Sequence, residues 1–325
     1  MVEFIFSHTD SKEFLKAMAM LLKTEVKDDT LLFPGNFATG FIKAFKLING
    51  LQGTILEGTL KQDFFFQRKK DGHNFYILHF DQMQLPSGLI TMINDVEIEH
   101  AANVRSAVLL TSSLFNFSYF LPTGSQTKSI TIYIDEEWLI KYLGIDSTHR
   151  LLKDYLLLKS ARLNFEPLDA EYRYLLNEIF EETEHPFKNL VLENRIPMLV
   201  ELFFTRIHDK LNSLDKVVSI SSDEMQRLMA AEARLVDDAT RTAPSIKELS
   251  RLAVMSESKF KLLFKKVYGN SPYEYFQRNR MTKGGYLLKT KRYTVKEVGE
   301  MLGYSNLSNF TIAFKKEFGM LPSEV

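Results

Sequence analysis

Near the C-terminus, two groups of side chains lie about fifty residues apart, each spaced to occupy one face of a helix. The first group is Ser258, Lys259, Lys261, Leu262 and Lys265. The second group is Leu307, Ser308, Asn309, Thr311, Ile312 and Lys315. Ammonium groups on a helix can neutralise phosphates, and the hydroxyl, amide and apolar groups beside them can contact base edges. These eleven residues are candidate contacts to a nucleic acid.

The segments that carry these groups are copies of one another. Ile246-Lys-Glu-Leu-Ser recurs as Val295-Lys-Glu-Val-Gly, and Phe264-Lys-Lys-Val-Tyr-Gly recurs as Phe314-Lys-Lys-Glu-Phe-Gly. The repeat predicts two copies of one small helical motif, at about residues 245–267 and 294–318.

The pattern of each copy predicts a helix, a tight turn and a second helix. Ser256 is a suitable N-cap for the second helix of the first copy, and either Ser305 or Asn306 could cap the corresponding helix. The second helices carry apolar residues at spacings that form one buried stripe: Phe260, Leu263, Phe264 and Val267, then Phe310, Ala313, Phe314 and Phe318. Because the opposite face is cationic or polar, the pattern predicts two helix-turn-helix motifs.

The charge of the chain is strongly divided. Residues 241–325 hold 16 Lys and Arg against 7 Asp and Glu, a net charge of +9, and the rest of the chain carries −9. A basic segment of this kind gains affinity for DNA by releasing counterions, whereas the acidic remainder opposes indiscriminate binding to polyanions.

The run from Ser245 to Glu324 resembles the DNA-binding domain of the AraC/XylS family of transcription regulators. The resemblance rests on the Phe-Lys-Lys…Gly…Pro ending of each copy and on Tyr275-Phe-Gln-Arg-Asn-Arg-Met between them. It implies a linker helix at Pro272–Lys289, a first helix at about Ser222–Asp238, and recognition helices in successive major grooves about 34 Å apart. It also implies double-stranded DNA and RNA polymerase as partners, and a homodimer.

This chain departs from the family at the outward positions. The family often places Arg or Gln where this chain has Ser258, Leu262, Ser308 and Ile312. Apolar side chains cannot hydrogen-bond guanine but can meet thymine methyls, so we expect A·T-leaning, partly indirect readout. Lys259, Lys261, Lys265 and Lys315 would hold phosphates, with Lys261 the best candidate for a base edge.

The linker also carries Gly284-Gly285 where small residues such as Ala are usual. Paired glycines weaken a helix, so this linker is either bendable or unusually closely packed.

The N-terminal part has the composition of β-strands rather than of helices. Short runs rich in Phe, Ile, Tyr and Thr predict strands at Gln62–Gln67, Asn74–Asp81, Glu97–Ala101, Val108–Leu110 and Ser129–Ile134. An all-β sandwich or barrel follows, and the family's architecture implies a cupin-like sensor barrel. The predicted fold is α+β: a β sensor domain at 1–140, a helical coupling and dimerisation segment at 141–215, and a DNA-binding domain at 216–325.

The helical segment offers one candidate dimer surface. The predicted helix Asn194–Leu211 carries a broad apolar stripe, which could instead pack against the protein's own barrel. Leu151–Leu158 and Ala170–Thr183 are also predicted to be helical, and Ser213–Ser222 is the linker candidate.

The predicted barrel is more suited to binding than to catalysis. A pocket formed by Phe64, Phe66, Asn74, Tyr76, His79 and Asp81 could take a small, partly apolar effector. No nucleophile elbow, phosphate loop or dinucleotide motif occurs, and His73, His79 and His100 lack the spacing of a metal-binding cupin. We therefore expect no enzyme activity, no metal and no cofactor.

Two alternatives remain: a barrel used only for dimerisation or partner docking, and a metal-dependent cupin enzyme tethered to a DNA-binding domain. The absence of cysteine excludes disulfides and thiol catalysis. No signal peptide or long apolar stretch indicates a membrane, so the expected location is the cytoplasm.

Overall fold

A computed structural model describes residues 1–7, 10–70, 75–86, 89–93, 96–100, 104–114, 116–146, 149, 166–181, 187–212, 222–236, 243–289 and 291–325. The chain packs into two compact units. The sheet unit comprises Met1–Leu168 and Glu178–Ser222, and the helical unit comprises Asp169–Asn177 and Asp223–Val325. The fold is therefore α+β, with the sheets in the N-terminal part and a helical domain at the C-terminus. The three-part division at residues 140 and 215 stays a prediction.

The strands of the sheet unit are mostly short and antiparallel. They are β1 (Val2–Phe6), β2 (Val26–Lys27), β3 (Thr30–Leu32), β4 (Ala38–Lys46), β5 (Gln52–Leu60), β6 (Phe64–Arg68), β7 (Phe75–Gln84), β8 (Leu89–Ile93), β9 (Val96–His100), β10 (Val104–Ser112), β11 (Phe117–Leu121), β12 (Gln126–Asp135) and β13 (Glu166–Pro167).

Among the described strands, two sheets form. One has the order β1-β6-β11-β8-β9 and the other β13-β10-β7-β12-β5-β4-β3-β2. β1 runs parallel to β6, with Val2 beside Phe64. Strand β6 shows why the two sheets face a common core: Phe64, Phe66 and Arg68 are buried, and the alternate residues are only half-buried.

Each predicted strand overlaps an observed one, but two features differ. β10 spans nine residues rather than the three predicted, because its polar ends pair with β7 from Val104–Gln84 to Ser112–Tyr76. The pattern also missed β1 and the helix α1 (Ser11–Leu22). Asp10 caps α1 by accepting the amides of Lys12 and Glu13.

The remaining helices before the C-terminal domain are α2 (Glu136–Leu143), α3 (Ala170–Glu181) and α4 (Lys188–Asn212). The apolar stripe of α4 is buried within the single chain, so it is not a free surface for a second copy. Its members are Ile196, Leu199, Val200, Phe203, Phe204 and Ile207. The helix predicted at Leu151–Leu158 and nearly all of the predicted linker lie outside the described residues.

The helical unit contains α5 (Ser222–Val236), α6 (Ile246–Leu252), α7 (Glu257–Tyr268), α8 (Pro272–Lys289), α9 (Val295–Met301), α10 (Leu307–Phe318) and a final 3-10 turn at Pro322–Glu324. The linker helix is confirmed with the predicted ends. The predicted first helix is confirmed over Ser222–Val236, and the last two residues of its predicted range lie outside the described residues. None of the helices in the described ranges is long and apolar enough to cross a membrane.

A buried polar network joins three elements of the helical unit. The guanidinium of Arg173 in α3 donates to both carboxylate oxygens of Glu232 in α5, at 2.6 and 2.9 Å, and the hydroxyl of Tyr275 in α8 donates to the same carboxylate at 2.7 Å. Burial opposes the charge on Arg173, but the adjacent Glu232 outweighs it and raises the pKa of Arg173. Burial, followed by the charge of Glu232, raises the pKa of Tyr275. The network fixes α3, α5 and α8 to one another.

Glu232→Gln should lower the free energy of unfolding of the helical unit by about 3–5 kcal/mol, because it leaves the Arg173 charge buried without its carboxylate. Urea unfolding followed by far-ultraviolet circular dichroism measures this loss. Glu224→Gln, which breaks the more exposed pair with Lys259, is the matched control and should cost less than about 1 kcal/mol. Equal losses in the two variants would show that the buried Arg173–Glu232 pair contributes no more to stability than the more exposed pair.

Candidate nucleic-acid interface

The first helix-turn-helix comprises α6 and α7 (Ile246–Tyr268), and side-chain caps define both helix starts. Ser245 accepts the Glu248 amide at 3.1 Å, and Ser256 accepts the Lys259 amide at 3.3 Å. Gly269 ends α7 in the left-handed conformation, with φ 75°. Local sequence therefore sets the length of each helix.

The second helix-turn-helix comprises α9 and α10 (Val295–Phe318). Thr294 and Glu297 cap α9 reciprocally, and Asn306, rather than Ser305, caps α10 by accepting the Ser308 amide at 2.8 Å. Gly303 supplies the left-handed turn, with φ 77°. At the matching position of the first motif, Val254 holds φ 53°, an uncommon conformation for a β-branched residue.

Burial of the aromatic stripe sets the orientation of both second helices. Phe260 and Phe264 are 0% exposed, and Phe310 and Phe314 are 0% and 1% exposed. The opposite faces therefore point to solvent. The side chains of Leu262 and Ile312 are 62% and 66% exposed. All the candidate contact residues on these faces are exposed except Thr311, which is half-buried.

One candidate lysine already has a protein partner. The Lys259 ammonium lies 2.6 Å from the Glu224 carboxylate of α5. Lys259 is thus drawn toward the neighbouring helix, which weakens its expected role at a phosphate. Lys261, Lys265 and Lys315 remain exposed on the outward faces.

The linker helix α8 positions the turn of the second helix-turn-helix. The guanidinium of Arg280, 8% exposed, donates to the carbonyl of Leu302 and lies 4.4 Å from the ring centre of Tyr304. The Tyr304 hydroxyl in turn donates to Gln277 at 3.0 Å. Sequence reasoning missed these contacts, although Gln277 and Arg280 are three residues apart and so share a helix face.

The paired glycines allow close packing of α8. A Cβ at Gly284 would lie 2.9 Å from Leu302 Cδ1 and 3.4 Å from the Phe310 ring. A Cβ at Gly285 would meet only ordinary contacts, at 3.6 Å or more from Phe318 and Phe314. Of the two readings of this pair, the structure supports close packing, and it assigns the constraint to Gly284.

Gly285→Ala should raise the free energy of unfolding by about 0.5–1 kcal/mol, because alanine favours the helix and space exists for its methyl. Gly284→Ala should be less stable than Gly285→Ala by about 1 kcal/mol, since the same helical gain is opposed by overpacking against Leu302. Denaturant unfolding of the two full-length variants compares them directly. The reverse order would show that Leu302 moves aside freely.

A second candidate site is a cavity of about 100 Å³ between the two sheets of the sheet unit. Aromatic side chains form one wall, including Phe64 and Phe66 of β6 and Phe117 and Tyr119 of β11. Polar side chains occupy the facing wall, on β7 and β12. They are His79, Asp81, Thr127, Ser129 and Thr131.

Strand pairing groups these polar residues. His79 pairs with Thr131 in register, and Asp81 pairs with Ser129. The Thr131 hydroxyl lies 3.3 Å from Nδ1 of His79, and the buried Thr127 hydroxyl has no hydrogen-bond partner among the described residues. This wall can therefore offer hydrogen bonds to a molecule in the cavity.

Arg68 closes one end of the cavity. Its guanidinium crosses from β6 to β10, donating to the Thr111 hydroxyl at 3.3 Å and to the Ser112 carbonyl at 2.8 Å. Burial lowers the pKa of Arg68 to about 10. The residue therefore ties the two sheets together as well as lining the cavity.

Only some of the predicted effector-binding residues line the cavity. Phe64, Phe66, His79 and Asp81 line the cavity, and Asn74 lies outside the described residues. Tyr76 is buried but does not line the cavity, because strand alternation sends Ile77, His79 and Asp81 inward on β7 and Tyr76 to the opposite face. The prediction missed Arg68 and the hydroxyls of β12. Their alternation, Thr127, Ser129, Thr131, was a usable signal.

Comparison with known proteins identifies the C-terminal part. Residues 249–325 match a family model described as a helix-turn-helix domain. The probable transcriptional regulator LumQ of Photobacterium leiognathi is 33% identical over 79 residues, covering 24% of this chain and 32% of that protein. The HTH-type transcriptional regulator AlkR of Acinetobacter baylyi is 26% identical over 121 residues, covering 37% of this chain and 40% of that protein. The matches thus span less than half of either relative.

Among solved structures, a probable AraC family transcriptional regulator from Rhodopseudomonas palustris is 26% identical, with a TM-score of 0.27, over 32% of this chain and 94% of that one. The family model, with the similarity to curated transcriptional regulators, identifies residues 249–325 as a helix-turn-helix domain, as the sequence predicted.

Proposed function

We propose that the chain is a sequence-specific DNA-binding regulator of transcription. The proposal rests on the two recognition helices, α7 and α10, each of which buries two phenylalanines and exposes its polar face, although Phe318 at the end of α10 is 41% exposed. A helix of this kind fits the major groove, and two such helices on one domain can read successive grooves. We also propose that the protein acts in the cytoplasm, because a regulator of this kind must reach the chromosome.

Electrostatics supports DNA as the partner. The +9 charge of residues 241–325 favours phosphate contacts, and the −9 charge of the remainder disfavours unspecific ones. The match of residues 249–325 to a helix-turn-helix family points the same way.

We further propose that a small-molecule effector binds the cavity of the sheet unit and alters DNA occupancy through its differential affinity for two arrangements of the protein. An aromatic wall facing a polar wall is the usual construction of a small-molecule site. The volume of about 100 Å³ limits the size of the effector. A cavity of about 150 Å³ holds benzene, so the molecule bound here is no larger than a single small ring.

The proposed regulator acts as a homodimer and contacts RNA polymerase. In this proposal the sheet unit binds rather than catalyses, and within the described ranges no group of three or more His, Asp or Glu could hold a metal ion. His73 lies outside those ranges.

Lys261→Ala and Lys315→Ala should each reduce the magnitude of the salt slope of DNA binding by about 1, because each removes one phosphate contact. Affinities measured between low and moderate salt, on DNA selected from a random pool by the wild-type chain, give the slopes. Lys46→Ala removes the same charge from an exposed position in the sheet unit and should leave the slope unchanged. Wild-type slopes in both recognition-helix variants would show that these faces do not meet DNA.

Compounds that fit the cavity should raise the melting temperature of the wild-type chain and change its affinity for DNA. Ser129→Leu, which fills the polar wall with an apolar side chain, should abolish both effects while leaving effector-free DNA binding intact. A library of compact metabolites screened by thermal shift, with each hit tested in DNA binding, provides the measurement. Hits that stabilise Ser129→Leu equally would place the effector elsewhere.

A further inference from the structure

The two helix-turn-helix motifs have matching architecture and different charge. The first (Ile246–Tyr268) holds six Lys and Arg against two Glu, a net charge of +4. The second (Val295–Phe318) holds three Lys against three Glu, a net charge of zero. Since DNA affinity from counterion release scales with the number of phosphates neutralised, the two motifs cannot contribute equally to it.

Part of the difference in net charge lies on the outward faces of the two recognition helices. Ser258 corresponds to Ser308, Leu262 to Ile312 and Lys265 to Lys315, so these positions are conservative. Two outward lysines have neutral counterparts: Lys259 corresponds to Asn309, and Lys261 corresponds to Thr311. Because Lys259 forms an ion pair with Glu224, Lys261 is the clearer difference in charge between the two faces. In the preceding helices, Arg251 corresponds to Glu300, which widens the difference further.

Two of the three carboxylates of the second motif form ion pairs, and the third, Glu297, caps α9. Glu317 lies 3.2 Å from the Arg278 guanidinium, and Glu300 lies 3.9 Å from the Lys296 ammonium. In the first motif, Lys259 forms an ion pair with Glu224 of α5. Lys261 and Lys265 of the same motif are exposed. The charge difference therefore survives the ion pairs formed within the domain.

The second motif presents more apolar surface than the first. Both have one exposed apolar residue in the middle of the outward face, Leu262 at 62% and Ile312 at 66%. The second motif adds Leu307, 44% exposed, where the first has Glu257. Exposed branched apolar side chains on a recognition helix can contact the C5-methyl group of thymine, which the major groove displays. Burying such a methyl against Ile312 contributes a free energy that salt does not screen.

We propose that the two motifs contribute differently to DNA recognition. The first carries the larger part of the salt-dependent affinity, through Lys261 and its neighbours. The second keeps Lys315 for a phosphate and adds a salt-insensitive contribution through contact of Ile312 with thymine methyls. The proposal rests on the proposed function, because it assumes that both motifs meet DNA. It assigns to Ile312 a role in specificity and to Lys261 a role in affinity.

The first experiment removes single methyl groups from the DNA. Deoxyuridine replaces thymidine, one position at a time, in DNA selected by the full chain, and wild type is compared with Ile312→Ala. Wild type should bind about fourfold more weakly when the contacted methyl is missing, and Ile312→Ala should show less than a twofold difference between the two DNAs. If Ile312→Ala retains the full fourfold discrimination, the methyl contact belongs to another residue and the proposal is overturned.

The position of the second motif on the selected DNA can be mapped independently. The chain has no cysteine, so Ser323→Cys, just beyond α10, provides one attachment point for a DNA-cleaving iron chelate. Cleavage should flank the position where deoxyuridine weakens binding. Cleavage at the opposite end of the site would assign the methyl contact to the first motif.

The second experiment exchanges the residues of the Lys261–Thr311 pair. Lys261→Thr should reduce the magnitude of the salt slope by about 1, and the reciprocal Thr311→Lys should increase it by about 1. Ile312→Ala should lower affinity by the same factor at every salt concentration. A change of slope in Ile312→Ala as large as that in Lys261→Thr would refute the division.

Failure of the two proposals gives different results. If the wild-type chain binds selected and scrambled DNA equally, the proposed regulatory function fails. If it prefers the selected DNA but no thymine methyl matters at the second motif, only the division of labour fails.

Discussion

Complete burial of two phenylalanines in each recognition helix is the constraint from which the DNA-reading surface follows. Phe260 and Phe264 in one copy, and Phe310 and Phe314 in the other, leave each helix one orientation in which its apolar stripe avoids water. The outward faces have no packing requirement of their own. They are therefore free to differ in charge while the scaffold beneath them stays the same.

The linker helix α8 provides much of that scaffold. On one side it carries Tyr275, which bonds to the buried Arg173–Glu232 pair, and on another it carries Arg280 and Gly284, which shape the second motif. The Tyr275 ring also packs edge-on against Phe264 of the first copy, with the ring centres 5.5 Å apart. A single helix therefore contacts the core of both copies. Such a buried ion pair is weak support for stability in itself, but the loss of either partner is costly, so it penalises alternative packings of these helices.

In the sheet unit, strand alternation creates a cavity with unlike walls. The pleat directs Phe64 and Phe66 toward the cavity, and it directs the hydroxyls of β12 and the His79 and Asp81 side chains toward it from the other sheet. The apolar side chains bury the surface of a bound molecule and so contribute affinity. The polar side chains fix its orientation through hydrogen bonds and so contribute specificity. The same alternation removed Tyr76 from the predicted site.

Local spacing and capping predicted the duplicated helical motif and the inward and outward faces of both recognition helices, except that Phe318 was predicted to be buried and is 41% exposed. The linker helix came from the resemblance to the AraC/XylS family. The strand pattern predicted five of the thirteen described strands and missed β1 and α1. Three features could be seen only in the folded chain: the ion pair between Glu224 and Lys259, the contacts of Arg280 with the Leu302–Tyr304 turn, and the crowding at Gly284 rather than Gly285. Those contacts join residues far apart in the chain, and side-chain periodicity within one element carries no information about which element packs against it.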